Sequence, residues 1–344
     1  MKTLKITILC GFMTMMGFSQ TVLTVDNRDQ SGGQFTSVQA AIDAASANDI
    51  IQILPSPTSY GNFTINKKLT LVGLGHNPVN VGGEVATMSL IRFINNSAGS
   101  ELKGLVISNI SIGTSTTSPN QSNISIRNCR ISSISGSGSS TPNLSDGWIL
   151  EGNYITSNIV PQMNSNNWQI RNNFIRGSIV NINNTCIITN NIFFTPSTSA
   201  TFFSNAFGPL VNNNMFLATG NLTQIGISNS TITFVSNMTY SYFGSTIAPL
   251  AGSNNLDNTN PMFVSATLAT IANFYGNNFD LAEGSPGINA GSDMTDIGLF
   301  GNGFAFDVNG RPELTPYPES ITITNSVVAP GQTLNVNFIA TQRQ

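Results

Sequence analysis

A short phrase in which apolar and polar residues alternate recurs seven times between residues 105 and 240. Each copy centres on one position, and successive centres are 18 to 24 residues apart. The centres are Ile110, Cys129, Asn153, Asn173, Asn191, Asn214 and Asn237. A repeat near 20 residues that joins a strand pattern to a turn-forming Asn is typical of a solenoid. The period is too short for paired helices and no leucine-rich consensus is present, so we predict a right-handed parallel β-helix with one phrase per coil.

The columns around the centre predict which side chains point inward. Two columns are apolar, the one three residues before the centre and the one two residues after it. Their members are Ile107, Ile126, Leu150, Ile170, Ile188, Val211 and Phe234, then Ile112, Ile131, Ile155, Ile175, Phe193 and Phe216, with Thr239 as an exception. The column two residues before the centre is mostly polar, with Val235 departing, and holds Ser108, Arg127, Glu151, Arg171, Thr189 and Asn212. This alternation is the pattern of half-buried strands.

Asparagine is frequent at the centre and at the position before it. Asn tolerates left-handed backbone and hydrogen-bonds its own turn. Stacked Asn side chains can also hydrogen-bond from coil to coil, which satisfies their buried amides. We therefore predict an asparagine ladder along the solenoid.

The two ends of the chain carry different signals. Residues 35–47 predict a short amphipathic helix, capped by Thr36 or Ser37, that covers the first coil. Near the other end, residues 321–328 and 334–340 predict two strands around a Pro330-Gly331 turn. We expect a leader over 1–19, the β-helix with its N-terminal cap over 20–300, and a C-terminal β cap over 301–344. A small separate sandwich fragment is the alternative for this last segment.

Two stretches carry a resemblance to a known family. The first, FTSVQAAIDAASANDIIQILPSPTSYGNFTINKKLTLVGLG (35–75), resembles the N-terminal cap and first coils of the pectin-lyase-like superfamily. The second, NNFDLAEGSPGINAGSDMTDIGLFG (277–301), and residues 258–263 resemble the last coils of secreted bacterial β-helix proteins. The resemblance implies the fold over roughly residues 35–300. It implies no particular activity, because this fold hosts lyases, hydrolases, esterases and proteins without known chemistry.

The composition narrows the class of protein. Charged residues make up 8% of the chain, apolar residues 40%, and the net charge is −3. Disorder would require low hydrophobicity and high net charge, and a nucleic-acid partner would require a basic face. We therefore expect an ordered protein without a nucleic-acid partner, and we expect a monomer.

The N-terminal sequence predicts a secretory signal peptide over Met1–Ser19. Lys2 and Lys5 precede an apolar run, and a small–x–small triplet predicts cleavage before Gln20. Cys10 is a weak lipoprotein signal, because Leu9 precedes it where a small residue is expected. No other stretch is apolar enough to cross a bilayer. The sequence thus predicts a secreted or cell-surface protein.

Cys129 and Cys186 are the cysteines that remain after such cleavage. Their phrases are three coils apart, which is roughly 14 Å at the usual strand spacing. A disulfide requires Cα atoms within about 7 Å. We predict two buried free thiols.

Candidate catalytic residues are few. No Asp, Glu, Lys, Arg or His occurs from Gly177 to Leu256, and the lone His76 lies in a Gly-rich turn where we expect it to be solvated. The remaining charged group is Arg127, Glu151 and Arg171 in one column, with Arg130, Arg176 and Asp146 near in sequence. One interpretation is a lyase-type site with Arg as base and a carboxylate binding substrate or Ca²⁺. The other, which we favour, is a structural ladder of alternating charges on adjacent strands.

Two further groups are candidate binding sites. Asp293, Asp296 and Asp307 could hold Ca²⁺, although Asp-x-Asn-Gly alone is a weak match and turn chemistry explains it better. We therefore expect no metal and no cofactor. Trp148 and Trp168 lie one coil apart and could stack on sugar rings, or serve as core.

Three functions remain compatible with the sequence. The first is a secreted or surface β-helix protein without catalysis that serves as a scaffold or contacts cell-envelope glycans. The second is a lyase or hydrolase of acidic polysaccharides that uses Arg127, Glu151 and Arg171. The third is an adhesin-like module that binds proteins. We favour the first, because the body of the chain offers few groups that move protons.

Overall fold

The computed structural model of the protein describes residues 20–29, 32–81, 83–94, 96–113, 121–136, 145–163, 165–313, 316–325 and 327–342. The predicted signal peptide lies outside these residues. The chain forms a parallel β-solenoid of about seven turns, with one α-helix and a small antiparallel sheet. This confirms the predicted fold.

The regular elements follow one another in chain order. The first are β1 (Val22–Val25), α1 (Val38–Ala44), β2 (Ile50–Ile53), β3 (Asn62–Ile65), β4 (Thr70–Val72), β5 (Thr87–Phe93), β6 (Glu101–Lys103), β7 (Val106–Ile112), β8 (Ser125–Arg127) and β9 (Arg130–Gly136). They are followed by β10 (Ile149–Glu151), β11 (Tyr154–Ile155), β12 (Ile159–Val160), β13 (Gln169–Arg171), β14 (Phe174–Ile175), β15 (Ile179–Asn183), β16 (Ile187–Thr189), β17 (Ile192–Thr195), β18 (Thr201–Asn212) and β19 (Met215–Ala218). The last are β20 (Gly226–Ser228), β21 (Thr231–Val235), β22 (Met238–Ser241), β23 (Gly252–Ser253), β24 (Pro316–Ile323) and β25 (Val336–Gln342). Short 3₁₀ helices occur at Pro78–Val81, Phe274–Gly276 and Gly301–Gly303.

The coils stack their strands into three parallel faces. The first face contains β1, β2, β4, β6, β8, β10, β13, β16, the end of β18, β21 and β23. The second contains the starts of β5, β7 and β9, then β11, β14, β17, β19 and β22. The third contains β3, the ends of β5, β7 and β9, then β12, β15, the start of β18 and β20.

The predicted inward columns form the core of the solenoid. Leu150, Ile170 and Ile188 pair on adjacent coils, and each is fully buried. The core continues at the N-terminal end into α1, whose Val38, Ala41 and Ile42 are buried. Ser37 caps this helix by accepting a hydrogen bond from the Ala40 N–H. The predicted capping helix is thus confirmed, although it is shorter than residues 35–47.

The predicted asparagine ladder is also present. Asn153, Asn173, Asn191, Asn214 and Asn237 are each 0% exposed. The Oδ1 atoms of the last four accept the backbone N–H and the side-chain N–H of the Asn one coil before, at 2.9–3.0 Å between Asn173 and Asn191. Asn153 Oδ1 accepts the Cys129 N–H. The Nδ2 groups donate to backbone carbonyls, so the buried amides are satisfied.

The final part of the solenoid differs from the sequence prediction. The strands that stack as coils end at Ser253, and the prediction that 258–263 and 277–301 form further coils is wrong. Residues 263–308 pack instead against the outside of the second face. The reason is that the outward positions of this face are also apolar: Tyr154, Phe174, Ile192, Phe194, Met215, Leu217 and Met238. These side chains need a cover, which the segment 263–313, here called the return segment, provides.

A second column of asparagines fastens the return segment. Asn128, Asn172, Asn190 and Asn213 occupy the corner between the first and second faces with positive φ. Asn172 Nδ2 donates to the carbonyls of Leu299 and Gly301 at 2.9 and 3.1 Å. Asn128 Nδ2 donates to the Arg311 carbonyl, and Asn213 Oδ1 accepts the Ser292 N–H. Asn at this corner therefore supplies both the left-handed turn and a hydrogen bond to the segment outside.

The predicted pair of C-terminal strands is confirmed as the antiparallel hairpin of β24 and β25. The apolar side chains Ile321, Ile323, Val336 and Phe338 of this hairpin are each at least 52% exposed. A capping role for the hairpin stays a prediction.

Candidate functional site

The charged group predicted on the first face is an alternating ladder. Glu151 pairs in register with Arg127 on one side and Arg171 on the other. Arg171 Nε lies 2.6 Å from Glu151 Oε1, and Arg127 Nη1 lies 3.3 Å from Glu151 Oε2. Each oxygen of this mostly buried carboxylate thus faces a guanidinium. This geometry confirms the interpretation of a charge ladder between adjacent strands.

The structure separates the other charged residues from this ladder. Arg130 and Arg176 lie on the second face, where their guanidinium groups are 5.9 Å from the Tyr154 ring and 5.4 Å from the Phe194 ring. Asp146 accepts the Asn166 N–H at 2.8 Å in the turn before β10. These charges therefore serve three separate parts of the fold.

Trp148 and Trp168 do not form a surface for sugars. Both are 0% exposed, and their rings stack at 5.0 Å with an angle of 7° between their planes. Each indole N–H donates 2.7 Å to a backbone carbonyl, of Gln121 and Ser145 respectively. The sugar-binding hypothesis for these two residues is wrong, because a fully enclosed ring offers no face to a ligand. They belong to the core, the other use considered for them.

His76 is also placed differently from the prediction, because it is buried rather than solvated. It is 1% exposed and is covered by the return segment, whose Tyr275 ring lies 5.6 Å from the His76 ring. The Tyr275 hydroxyl donates to the His76 carbonyl at 2.9 Å and lies 3.1 Å from His76 Nδ1. Because that hydroxyl proton is already used, Nδ1–H is the donor in the second contact. Burial lowers the pKa of His76 to about 3, so the ring is neutral at physiological pH.

The aspartates considered for Ca²⁺ are used within turns. Asp293 Oδ1 accepts from the backbone and hydroxyl of Thr295, and Asp296 Oδ1 accepts the Asn289 N–H. Asp307 forms an ion pair with Arg311 at 2.9 Å. Within the ranges given above, no three His, Cys, Asp or Glu side chains are grouped as metal ligands would be.

The two cysteines are free and buried, as predicted. Burial raises the pKa of the Cys129 thiol to about 12. A thiol that does not ionise is a poor nucleophile, so Cys129 acts as a small apolar core residue.

The third face carries a feature that the sequence analysis did not identify. A groove of about 280 Å³ opens there between β15, β18 and β20. It is lined by Met163, Asn181, Ile182, Asn183, Asn205, Phe207 and Asn229. Among the described residues, no ionisable side chain lines it, and all the lining residues except Met163 belong to the charge-free stretch 177–256.

An asparagine ladder on the outside of the solenoid lines part of this groove. Asn181, Asn205 and Asn229 follow one another on consecutive coils, each with positive φ. Asn205 Nδ2 donates to Asn181 Oδ1 at 3.3 Å, and Asn229 Nδ2 donates to Asn205 Oδ1 at 2.6 Å. The side-chain Nδ2 of Asn181 and the side-chain Oδ1 of Asn229 have no protein partner among the described residues. This outer ladder therefore offers hydrogen-bonding groups of both kinds to a ligand.

Apolar side chains also line the groove. Phe207 and Met163 line it and are each 48% exposed. Apolar and aromatic side chains beside a few convergent polar groups are the usual composition of a ligand site.

Comparison with protein-family models and with curated proteins gives no match for this chain. The likeness to the pectin-lyase-like superfamily therefore stays a resemblance. Across the described ranges, no helix is both long and apolar enough to cross a membrane.

Proposed function

We propose that this protein is a secreted or surface-displayed β-helix module that binds uncharged glycans without cleaving them. The observation that carries the proposal is the groove on the third face, which is lined by an amide ladder and by the exposed Phe207. Sugar rings present hydroxyl groups that both donate and accept, together with apolar C–H faces that stack on aromatic rings. The groove offers a partner for each.

The charge distribution supports an uncharged ligand. Apart from Met163, the residues that line the groove belong to the stretch 177–256, which contains no Asp, Glu, Lys, Arg or His. A uronate polymer would leave its carboxylates without cationic partners there, and a carboxylate that loses water without a partner is costly. The charge-free groove therefore favours neutral glycans over acidic ones.

The state of the charged ladder supports binding without cleavage. Acid–base catalysis requires a titratable group within hydrogen-bond reach of the reacting atom. Glu151 is held by Arg127 and Arg171, and both of its oxygens are engaged. We assign these three residues a structural role, in preference to the alternative of a lyase or hydrolase.

The test is a glycan array that contains neutral and uronate polysaccharides, with assays for reducing ends and for unsaturated products. We expect binding to neutral glycans and no product from any polymer, with or without Ca²⁺. Phe207→Ala should weaken binding about fivefold, since aromatic stacking contributes roughly 1 kcal/mol. The matched control is Phe243→Ala, which removes another exposed Phe, 61% exposed, that does not line the groove.

Three outcomes would contradict the proposal. Cleavage that Glu151→Gln abolishes, in a variant that melts like the parent, would establish the enzyme alternative. Binding restricted to protein ligands would establish the adhesin alternative. Equal loss of binding in Phe207→Ala and Phe243→Ala would remove the groove as the site.

The secretion part of the proposal has its own test. Its support is the basic start, apolar run and small–x–small triplet of residues 1–19. N-terminal sequencing of protein recovered from outside the cell should give Gln20 as the first residue. Protein that retains Met1 and stays in the cytoplasm would contradict it.

A further inference from the structure

The C-terminal hairpin is a two-stranded sheet with one apolar face. That face consists of two cross-strand pairs in register, Ile321 with Phe338 and Ile323 with Val336. All four side chains are at least half exposed, and neither core of the molecule includes a described residue of 316–342. A lone two-stranded hairpin is marginally stable in water, whereas three or more strands with an apolar face are stable. Further strands would therefore stabilise this hairpin.

The backbone of β25 offers a place for such strands. The Thr324 N–H donates to the Asn335 carbonyl at 3.2 Å, so the backbone groups of Asn335 face β24. Successive residues of an antiparallel strand face alternately toward and away from the partner strand. Val336, Phe338 and Ala340 therefore direct their N–H and C=O groups to the free edge, where no described strand pairs with them.

The two edges of the hairpin differ in their ability to pair. On β24, Pro318 lies opposite Ala340, so it also faces away from its partner strand, as does Pro316 two residues earlier. Proline has no N–H to donate, and proline on an edge strand resists pairing. β25 contains neither proline nor a charged residue from Val336 to Gln342. An edge of this kind is a ready template for another strand.

We propose that two copies of this protein associate through the free edges of their β25 strands, which pair antiparallel across a two-fold axis. The product is a four-stranded sheet with the two β24 strands outermost. The register that uses every outward-facing residue places Phe338 opposite its own counterpart and Val336 opposite Ala340. Each of these pairs exchanges two N–H···O bonds. This proposal replaces the expectation of a monomer and is independent of the ligand of the groove.

The chemistry of the hairpin favours a second copy as the occupant of this edge. β25 carries no charge, so antiparallel pairing with itself opposes no like charges. Two-fold pairing uses the open edge of both copies and leaves only the proline-containing edges outside, so that association stops at the dimer. Paired strands of this length cover well under about 800 Å² per copy, the area typical of a stable complex. We therefore expect a weak dimer with a dissociation constant in the micromolar range.

The experiment is sedimentation velocity of the full protein over about a hundredfold range of concentration, because dimers form by mass action. Val336→Pro removes an outward-facing donor from β25, and its matched control, Ile323→Pro, removes one from β24. The two residues pair in register, are both β-branched and are 53% and 52% exposed. Val336→Pro should raise the dissociation constant of the dimer about tenfold or more, because two hydrogen bonds are lost, and Ile323→Pro should change it less than about twofold.

A cysteine cross-link tests the same register without proline in the hairpin. In Phe338→Cys the new thiols of two paired copies face each other at a Cα separation of about 5.5 Å, which suits a disulfide. Ile321→Cys is the control, since Ile321 lies opposite Phe338 on the outer strand, about 14 Å from its counterpart across the axis. Mild oxidation should link Phe338→Cys into a covalent dimer and leave Ile321→Cys unlinked. Cys129 and Cys186 are buried and should not contribute.

Four results would overturn the proposal. The first is a single monomeric species over the whole concentration range. The second is equal weakening by Val336→Pro and Ile323→Pro, which would assign the association to the apolar face instead of the β25 edge. The third is growth beyond the dimer with rising concentration, which would contradict closed pairing. The fourth is equal cross-linking of Phe338→Cys and Ile321→Cys.

Discussion

Truncation of one rung of the buried ladder provides a quantitative test of what holds the coils together. In Asn191→Ala the backbone N–H of Asn173 loses its acceptor, which lies at 2.9 Å. The Asn173 side chain loses a second contact to the same oxygen at 3.0 Å. The carbonyls of Ile170 and Thr189 lose a donor. All this occurs at a site with no exposure to solvent.

The magnitude follows from the cost of leaving buried polar groups unpaired. A buried donor or acceptor without a partner costs about 1–3 kcal/mol. The Asn173 N–H has no alternative acceptor in the ladder, and the cavity left by the side chain adds to the loss. We expect the free energy of unfolding to fall by about 3–5 kcal/mol.

Urea unfolding followed by circular dichroism measures this loss. The dependence of the unfolding free energy on urea concentration should be compared between parent and variant, because solenoids can unfold in steps. Asn255→Ala is the matched control at the end of the ladder. Asn255 is only half-buried and accepts from one Asn, at 3.0 and 3.4 Å. Asn255→Ala should lower the free energy of unfolding by about 1–2 kcal/mol. A loss below about 1 kcal/mol for Asn191→Ala would refute the view that the ladder stabilises the coils.

Three further predictions concern core, pH and thiols. Ile170→Asp places an unpaired charge in the core and should lower the free energy of unfolding by several kcal/mol. Arg171→Ser should lower it by about 1 kcal/mol, because the ion pair that this change breaks is partly exposed. Equal losses of melting temperature in the two variants would contradict the column assignment. Burial lowers the pKa of His76 to about 3. The neutral side chain therefore contributes its full stabilisation above the unfolded-state pKa near 6.5, and this contribution falls as the pH drops toward 3. The parent should therefore lose about 3 kcal/mol more than His76→Gln between pH 7 and pH 4 in urea melts, and parallel pH profiles would show that His76 is solvated. Thiol titration of the denatured, unreduced protein should find Cys129 and Cys186 free, and a linked peptide in mass spectrometry would contradict the structure.

The solenoid could be predicted from sequence because its signal is repeated. One inward Ile is weak evidence, but a column of seven apolar residues at a constant offset is strong. The buried ladder could be predicted for the same reason, since Asn recurs at one position. The charge ladder followed once the register was known, because Arg127, Glu151 and Arg171 share a column.

The errors in the prediction arise where contacts are not periodic. His76 is buried by the return segment, in which Tyr275 lies 199 residues away in sequence, and no local pattern reports such a contact. The Trp residues were a different case. Trp148 and Trp168 lie two positions before an inward column, so the alternation of strand side chains already placed them inside.

The sequence also contains a signal for the return segment, at a position of the repeated phrase that lies outside the inward columns. The position directly after the centre is apolar in several copies, as in Tyr154, Phe174 and Met215. Two consecutive apolar residues in a strand mean that both of its faces are covered. The repeated phrase contains no such signal for the groove. Asn181, Asn205 and Asn229 lie outside the phrase and come together only through the stacking of the third face.

The most direct test of the central claim is a titration of the protein with cellohexaose at 50 and 500 mM NaCl. If the charge-free groove binds an uncharged glycan, the dissociation constant should change less than twofold between the two salt concentrations. The dissociation constant should rise about fivefold in Phe207→Ala and stay unchanged in Phe243→Ala. A strong loss of affinity at high salt, or binding that only uronate polymers support, would contradict the account.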